Sequence, residues 1–190
     1  MYRNGKVYEE IAKVIVDIYI DYEITELPLN EVDLCTRMGV ELVPYSTFSR
    51  RKVRFLDEKR PYGFFVKESR EMPPTIYYND RLDTEGAIRF SIFHELKHYV
   101  FNDDNDEKDD LADYFARHIM CPTPYIMLLD FDFPEEIGEL CGISYTAACN
   151  AYKEILNRRR YHGMQVFDYE IPLIQQLDPS LLEINDYKGI

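Results

Sequence analysis

The sequence predicts an α+β fold with a small mixed sheet and a helical C-terminal part. Three features predict it: apolar residues at helical spacing near the N-terminus, short strand-like segments between residues 40 and 79, and a series of helical segments after residue 85. A chain of 190 residues, 46% of them hydrophobic, is long enough to bury a substantial core. We divide it into a first domain over residues 1–125, which includes the N-terminal helices, and a C-terminal part over residues 126–190.

Two helices and three strands are predicted before residue 85. The first helix shows a helical repeat of apolar residues, and the second begins after Asn30, a residue type that often caps helices. The predicted elements are helices over residues 6–22 and 31–38 and strands over residues 40–43, 62–66 and 75–79. Pro73 and Pro74 precede the last strand and indicate an edge position, because an edge tolerates a missing N–H. Such an edge could pair with an extended peptide or remain a plain edge.

Residues 46–60 form a basic segment in an otherwise acidic chain. Six of these residues are lysine or arginine. The segment could dock an acidic partner, but a solvated loop or hairpin face is the commoner meaning of such a run. We therefore predict an exposed loop or hairpin here.

The strongest chemical signal is the pattern His-Glu-x-x-His at residues 94–98. On an α-helix His94 and His98 lie about 40° apart around the axis and one turn along it, so both imidazoles can reach one metal ion. Zinc binds neutral imidazoles, and Glu95 lies on the same side, where it can hold a water and act as a general base. The alternative is a chance occurrence, but the largely apolar surroundings of the motif favour a buried helix that carries a site.

A second helix, predicted from about residue 108 to residue 120, supplies the third ligand. A polar loop over residues 102–108 precedes it. Asp109 and Asp113 border its apolar face, about 40° apart. We therefore assign Asp109 to the metal and Asp113 to the second N–H of a ligating histidine.

Three other side chains of this region are weaker ligand candidates. Glu107 would point away from the apolar face, and Asp110 is intermediate. His118 lies opposite Asp109 on the helix, which argues against a site of three histidines. The alternative for the acidic residues is a solvated helix N-terminus, where the helix dipole favours carboxylates.

Charge, cysteine content and hydropathy argue against a nucleic-acid-binding protein, a disulfide-stabilised protein and a membrane protein. The formal net charge of −13 opposes direct nucleic-acid binding, since the phosphate backbone would be repelled. The four cysteines show no paired spacing and are expected to be buried free thiols in a reducing compartment. No apolar run reaches the length of a membrane span and no secretion signal is present, so we predict a cytoplasmic protein without membrane association.

Four stretches of the sequence together match the pattern of a known family. They are His94-Glu-Leu-Lys-His98, Asp109-Asp-Leu-Ala-Asp113-Tyr-Phe-Ala116 continuing to Pro122, Ile76-Tyr77-Tyr78-Asn79, and Cys141-Gly142-Ile143-Ser144. In this combination the chain resembles the ImmA/IrrE family of metallopeptidases over most of residues 26–156. That family has a glutamate ligand at the position of Asp109. The shorter aspartate requires the second helix to stand closer to the metal, or a water to bridge the gap.

The resemblance implies a zincin-like metallopeptidase domain that cleaves or inactivates a protein substrate. The implied substrate is a helix-turn-helix repressor of a mobile element or a stress pathway. We therefore predict that His94, His98 and Asp109 hold Zn2+, that Glu95 is catalytic, and that Asp113 orients a histidine. One alternative is a catalytically weak or inactive regulatory member that binds a repressor without cutting it.

The C-terminal part contains a further alternative, a DNA-binding helix-turn-helix module. A short helix from Pro134 and a longer one ending near Arg160 flank the corner at residues 142–144. The basic residues lie at the far end of the second helix, and the net charge opposes DNA binding, so we interpret the corner as packing or partner recognition. The apolar tail over residues 166–177 either folds back on the body or holds a partner.

Overall fold

The computed structural model describes residues 3–103 and 109–184, and the side chains of residues 5–103 and 110–183. Within these ranges the chain forms many helices and one three-stranded mixed sheet, which confirms the predicted α+β class. Asn30–Arg117 form one compact unit, and the residues up to Leu29 form another with those from His118 onward. The division after residue 125 stays a prediction.

Most predicted helices and strands are found within a few residues of their predicted bounds. In chain order the elements are α1 (Arg3–Asp21), α2 (Glu31–Arg37), β1 (Glu41–Pro44), a 3-10 helix (Tyr45–Thr47), α3 (Arg50–Lys59), β2 (Gly63–Val66), β3 (Thr75–Tyr78), α4 (Glu85–Val100), α5 (Asp109–Met120), α6 (Thr123–Leu128), α7 (Pro134–Cys141), α8 (Tyr145–His162), a second 3-10 helix (Asp168–Glu170), α9 (Ile171–Leu177) and α10 (Ser180–Ile184).

The sheet of the Asn30–Arg117 unit has the strand order β1-β3-β2. Ile76 of β3 is in register with Leu42 of the parallel strand β1 and with Phe65 of the antiparallel strand β2. The prediction that β3 lies at an edge is therefore wrong. Pro73 and Pro74 precede the first paired residue and so remove no N–H from the ladder. In the described part of the chain, β1 and β2 are the edge strands.

Residues 50–59 form α3, not the predicted loop or hairpin. The Ser49 side chain caps the helix by accepting a hydrogen bond from the Lys52 N–H at 3.4 Å. Leu56 is the one buried residue of the helix, while the basic residues remain exposed. An apolar repeat this short does not distinguish a helix from a solvated loop in the sequence.

The core of this unit lies where α4 packs on the sheet. Ile76, Ile92, Phe93 and Leu96 are buried there, and these side chains fix which side of α4 faces the strands. Burial of each such side chain contributes about 1.5–3 kcal/mol. This packing determines the direction in which the histidines of the same helix project.

The other unit is helical. In α1, Ile11, Ile15 and Ile18 are buried as their spacing predicts, and the Tyr19 hydroxyl donates to the Ile119 carbonyl at 2.8 Å. The pattern of apolar residues on α1 therefore marks a face that packs within this unit.

The apolar tail belongs to the same unit. Helix α9 packs against α1, and Leu173 and Ile174 are buried. Arg158 of α8 makes two hydrogen bonds, at 2.7 and 2.5 Å, to the carboxylate of Glu170, which is almost completely buried. Of the two alternatives for the tail, the structure shows the one in which it folds back.

The cysteines are free thiols. Cys35, Cys121 and Cys141 are buried and Cys149 is partly exposed. Burial raises the pKa of Cys35 to about 12, and the nearby Glu31 carboxylate adds to the effect, so this thiol stays protonated at neutral pH. Among the described helices, none combines the length and apolarity needed to cross a bilayer.

Candidate metal and catalytic site

Helix α4 brings the two histidines of the motif together. The Thr84 side chain caps the helix by accepting a hydrogen bond from the Ala87 N–H at 3.1 Å. One turn apart, the His94 and His98 rings have their centroids 5.8 Å from each other. Their side chains are 20% and 9% exposed, so both rings lie at the border between the core and the surface.

Asp113 of α5 contacts the first histidine. Its Oδ1 lies 2.9 Å from Nδ1 of His94. This is the contact that a carboxylate makes when it accepts the N–H of an imidazole and so fixes its tautomer and orientation. The apolar face of α5 anchors this arrangement, because Ala112, Phe115 and Ala116 are buried.

The second histidine has a carboxylate partner that the sequence analysis missed. Oδ1 of Asp103 lies 2.8 Å from Nδ1 of His98, and the Lys97 ammonium donates to Oδ2 of Asp103 at 2.6 Å. The Lys97 side chain is only 2% exposed. Burial of the Asp103 carboxyl opposes its ionisation, but the hydrogen bonds and charges of Lys97 and His98 outweigh burial and hold the pKa of Asp103 below its ordinary value.

One feature of the sequence could have revealed Asp103. Lys97 lies between the buried residues Leu96 and His98, and a buried ammonium requires an anionic partner nearby. Asp103 is the first carboxylate after the helix end, within reach of its last turn. The prediction treated residues 102–108 as a loop too polar to pack, and so overlooked its first acidic residue.

The two carboxylates define which ring nitrogens are suited to a metal. A carboxylate accepts hydrogen bonds, so the tautomer of His98 and His94 that fits Asp103 and Asp113 is the one with its proton on Nδ1. In a neutral imidazole the other nitrogen, Nε2, then carries the lone pair. In that tautomer Nε2 is the nitrogen that serves as a zinc ligand.

Glu95 lies beside the first residue of β2. A Cβ atom placed on Gly63 would lie 3.4 Å from Cγ of Glu95 and 2.9 Å from the backbone oxygen of Tyr77. Gly63 is buried, so the absence of a side chain is what allows strand, sheet and glutamate to approach. The buried Tyr45 hydroxyl is also near: burial and then the Glu95 charge raise the pKa of Tyr45 to about 12.

The predicted third ligand is Asp109, at the start of α5. Asp109 begins α5, but its side chain lies outside the described residues, as does the whole of Glu107. Asp110 is exposed. Among the side chains that the structure describes, no group of three histidine, cysteine, aspartate or glutamate residues could hold a metal ion. The assignment of Asp109 to the metal stays a prediction.

His118, one of the weaker ligand candidates, and Tyr77 of β3 have structural contacts. His118 belongs to the helical unit, where its Nε2 lies 3.2 Å from Oε1 of Glu154. Tyr77 stacks on Phe64 with ring centroids 4.8 Å apart. These contacts account for both side chains without a role in chemistry.

Comparison with known protein families identifies the family of this chain. Residues 35–153 match the family model described as the IrrE N-terminal-like domain, peptidase family M78, which covers more than half of the chain and includes both α4 and α5. No curated protein and no solved structure matched the chain.

Proposed function

Because this chain belongs to the IrrE N-terminal-like family of metallopeptidases, we propose that it is a zinc-dependent endopeptidase acting on a protein substrate. The observation that carries the proposal is the pair of histidines on α4, each with its Nδ1 against a carboxylate. That arrangement leaves Nε2 as the ligand atom, which is how zinc-binding histidines are commonly held.

We propose His94, His98 and Asp109 as the residues that hold the zinc ion. Zinc takes three protein ligands at a catalytic site, and nitrogen together with carboxylate oxygen is a known ligand set. When bound, zinc supplies a Lewis acid that polarises a carbonyl and lowers the pKa of water towards about 7. The family membership and the two oriented imidazoles support this assignment.

Glu95 is the proposed general base. It would accept a proton from the attacking water and donate it to the departing amine nitrogen, which completes hydrolysis of the peptide bond. Asp103 and Asp113 would keep the imidazoles from rotating, so that the ligand atoms stay in position through the reaction.

The edge of β2 is the proposed path of the substrate backbone. In the described chain β2 pairs with β3 on one side only, and its first residue, Gly63, is adjacent to Glu95. An extended peptide that adds to this edge would make main-chain hydrogen bonds and pass the glutamate. Such pairing recognises backbone shape and therefore suits a protein substrate.

A helix-turn-helix repressor is the proposed natural substrate, and the resemblance to the ImmA/IrrE family supports it. The alternative, that α7 and α8 themselves bind DNA, is opposed by internal ion pairs. Arg158 binds Glu170, and Arg159 lies 2.7 Å from Asp130, so two arginines near the end of α8 are already paired. Their charge is not available to phosphate groups.

Metal content and cleavage test the proposal. We expect the purified chain to contain about one zinc per molecule and to cleave members of a proteome-derived peptide library, detected by mass spectrometry. Glu95→Gln should keep zinc and lose cleavage, whereas His94→Ala should lose both. If Glu95→Gln cleaves like the original chain, Glu95 is not the base. If the original chain cleaves no helix-turn-helix repressor from the same genome, the proposed substrate is wrong.

A further inference from the structure

Helix α3 presents a basic and aromatic face to solvent. Arg51, Arg54, Phe55 and Lys59 are spaced by three and four residues, so they lie on one side of the helix. Phe55 is 59% exposed, a large fraction for a phenylalanine side chain. Glu58 is the one acidic residue on this side of the helix. We call Arg51, Arg54, Phe55 and Lys59 the α3 face.

The cations of the α3 face have no ion-pair partner among the described residues. Arg51, Arg54 and Lys59 stay unpaired there, although the chain holds thirty-five aspartate and glutamate residues. The first turn of α3 also carries no acidic residue, so its arginines oppose the helix dipole. Unpaired cations around an exposed aromatic ring match an anionic and apolar ligand rather than an internal structural role.

The C-terminal end of α3 is close in sequence to Gly63, which lies beside the proposed general base Glu95 in the same unit. The carbonyl of Arg60, which follows α3, accepts a hydrogen bond from the Tyr45 hydroxyl at 2.8 Å. Three residues later the chain reaches Gly63, beside Glu95. The exposed Tyr62 lies between them and continues the aromatic surface. A segment bound along α3 is therefore held next to the start of β2.

We propose that the α3 face is a docking site for an acidic segment of a partner protein that carries an aromatic or leucine side chain. The carboxylates would pair with Arg51, Arg54 and Lys59, and the apolar side chain would cover Phe55. Charge complementarity supports a protein segment as the occupant. The proposal concerns binding alone, and it stands whether or not the site on α4 cleaves what is bound.

A nucleic acid is the less suitable occupant. Residues 50–60 contain six lysine and arginine residues and two acidic residues, while the remaining residues contain sixteen basic and thirty-three acidic residues. A long polyanion would experience the repulsion of this acidic majority, whereas a short acidic segment contacts only the basic face. The charge distribution of the chain therefore disfavours a nucleic acid and still favours a short acidic peptide on the α3 face.

The test measures binding of labelled peptides to the full Glu95→Gln chain, which prevents cleavage during the measurement. The probe is a synthetic peptide library rich in glutamate and aspartate with one phenylalanine or leucine, and the reference library has glutamine and asparagine instead. We expect the acidic library to contain binders that the reference library lacks. Replacing Arg51, Arg54 and Lys59 by glutamine should weaken those binders about tenfold, and Phe55→Ser should also weaken them.

A matched variant separates a local effect from a change in net charge. Replacing Lys6, Arg70 and Lys153 by glutamine removes the same charge at exposed positions elsewhere, and binding should stay within about twofold. The proposal is overturned if no acidic peptide binds, or if both triple variants weaken binding equally. It is also overturned if single-stranded DNA binds the α3 face more tightly than the peptides.

Discussion

Replacing Asp103 by asparagine tests the most unusual contact of the site. The amide side chain would keep the size of the carboxylate but remove the negative charge that receives hydrogen bonds from Lys97 and His98. The Lys97 ammonium, almost completely buried, would then have no carboxylate partner at this position. Breaking a buried ion pair costs about 3–5 kcal/mol. The Asp103 side chain is 31% exposed, so water can solvate part of the Lys97 charge after the substitution. We therefore expect the free energy of unfolding to fall by about 2 kcal/mol.

Thermal unfolding of the metal-free protein measures this loss. For a chain of this size 2 kcal/mol corresponds to a fall in melting temperature of about 4–8 °C. Zinc affinity, measured by competition with a chelator, should fall by a factor of about 10–100, because His98 loses its orienting partner. Asp113→Asn is the matched control: it should weaken zinc binding similarly but change stability little, since Asp113 is half exposed and holds no buried cation.

The reasoning is refuted if Asp103→Asn unfolds within about 0.5 kcal/mol of the original protein. Lys97 would then be stabilised by something other than this carboxylate. Unchanged zinc affinity in both variants would show that neither aspartate orients a ligand.

Three other variants test the site and the helical unit. Gly63→Ala should reduce cleavage and cost about 1–3 kcal/mol in urea unfolding, because its Cβ would lie 2.9 Å from a backbone oxygen, whereas Gly5→Ala, with nothing within 4 Å, should not destabilise the protein. Tyr45→Phe should lose about 1 kcal/mol at pH 7 with its hydrogen bond. Since folding raises the pKa of Tyr45 from 10.0 to about 12, the original protein loses stability as pH rises through that range, and the deficit of the variant should shrink there. Glu170→Gln should lower the free energy of unfolding by about 3 kcal/mol, because it leaves the partly buried Arg158 with a neutral partner. A variant as stable as the original protein in urea unfolding would contradict this.

Local patterns in the sequence were sufficient to predict most of the fold. The helical repeat of α1, the Asn30 cap of α2 and the apolar face of α5 each depend on residues close in sequence, and the structure contains these elements. The motif on α4 depends on the same periodicity, which brings the two imidazoles side by side.

Contacts between distant segments were harder to predict. The central position of β3 follows from a parallel pairing with β1, and nothing in β3 itself indicates it. The contact between Gly63 and Glu95 joins residues far apart in sequence, so the sequence alone did not indicate it. Helix α3 was missed because one buried leucine is too weak a signal among charged residues. The side chain of Asp109 lies outside the described residues, so its assignment rests on helical geometry and on the family.

The two imidazoles depend on different parts of the chain for their orientation. His98 is held by an aspartate five residues away, whereas His94 is held by one nineteen residues away on another helix. A substitution in α5 can therefore release one ring and leave the other in place. In this architecture a descendant could therefore keep the fold and one oriented histidine after the other ring has lost its carboxylate partner.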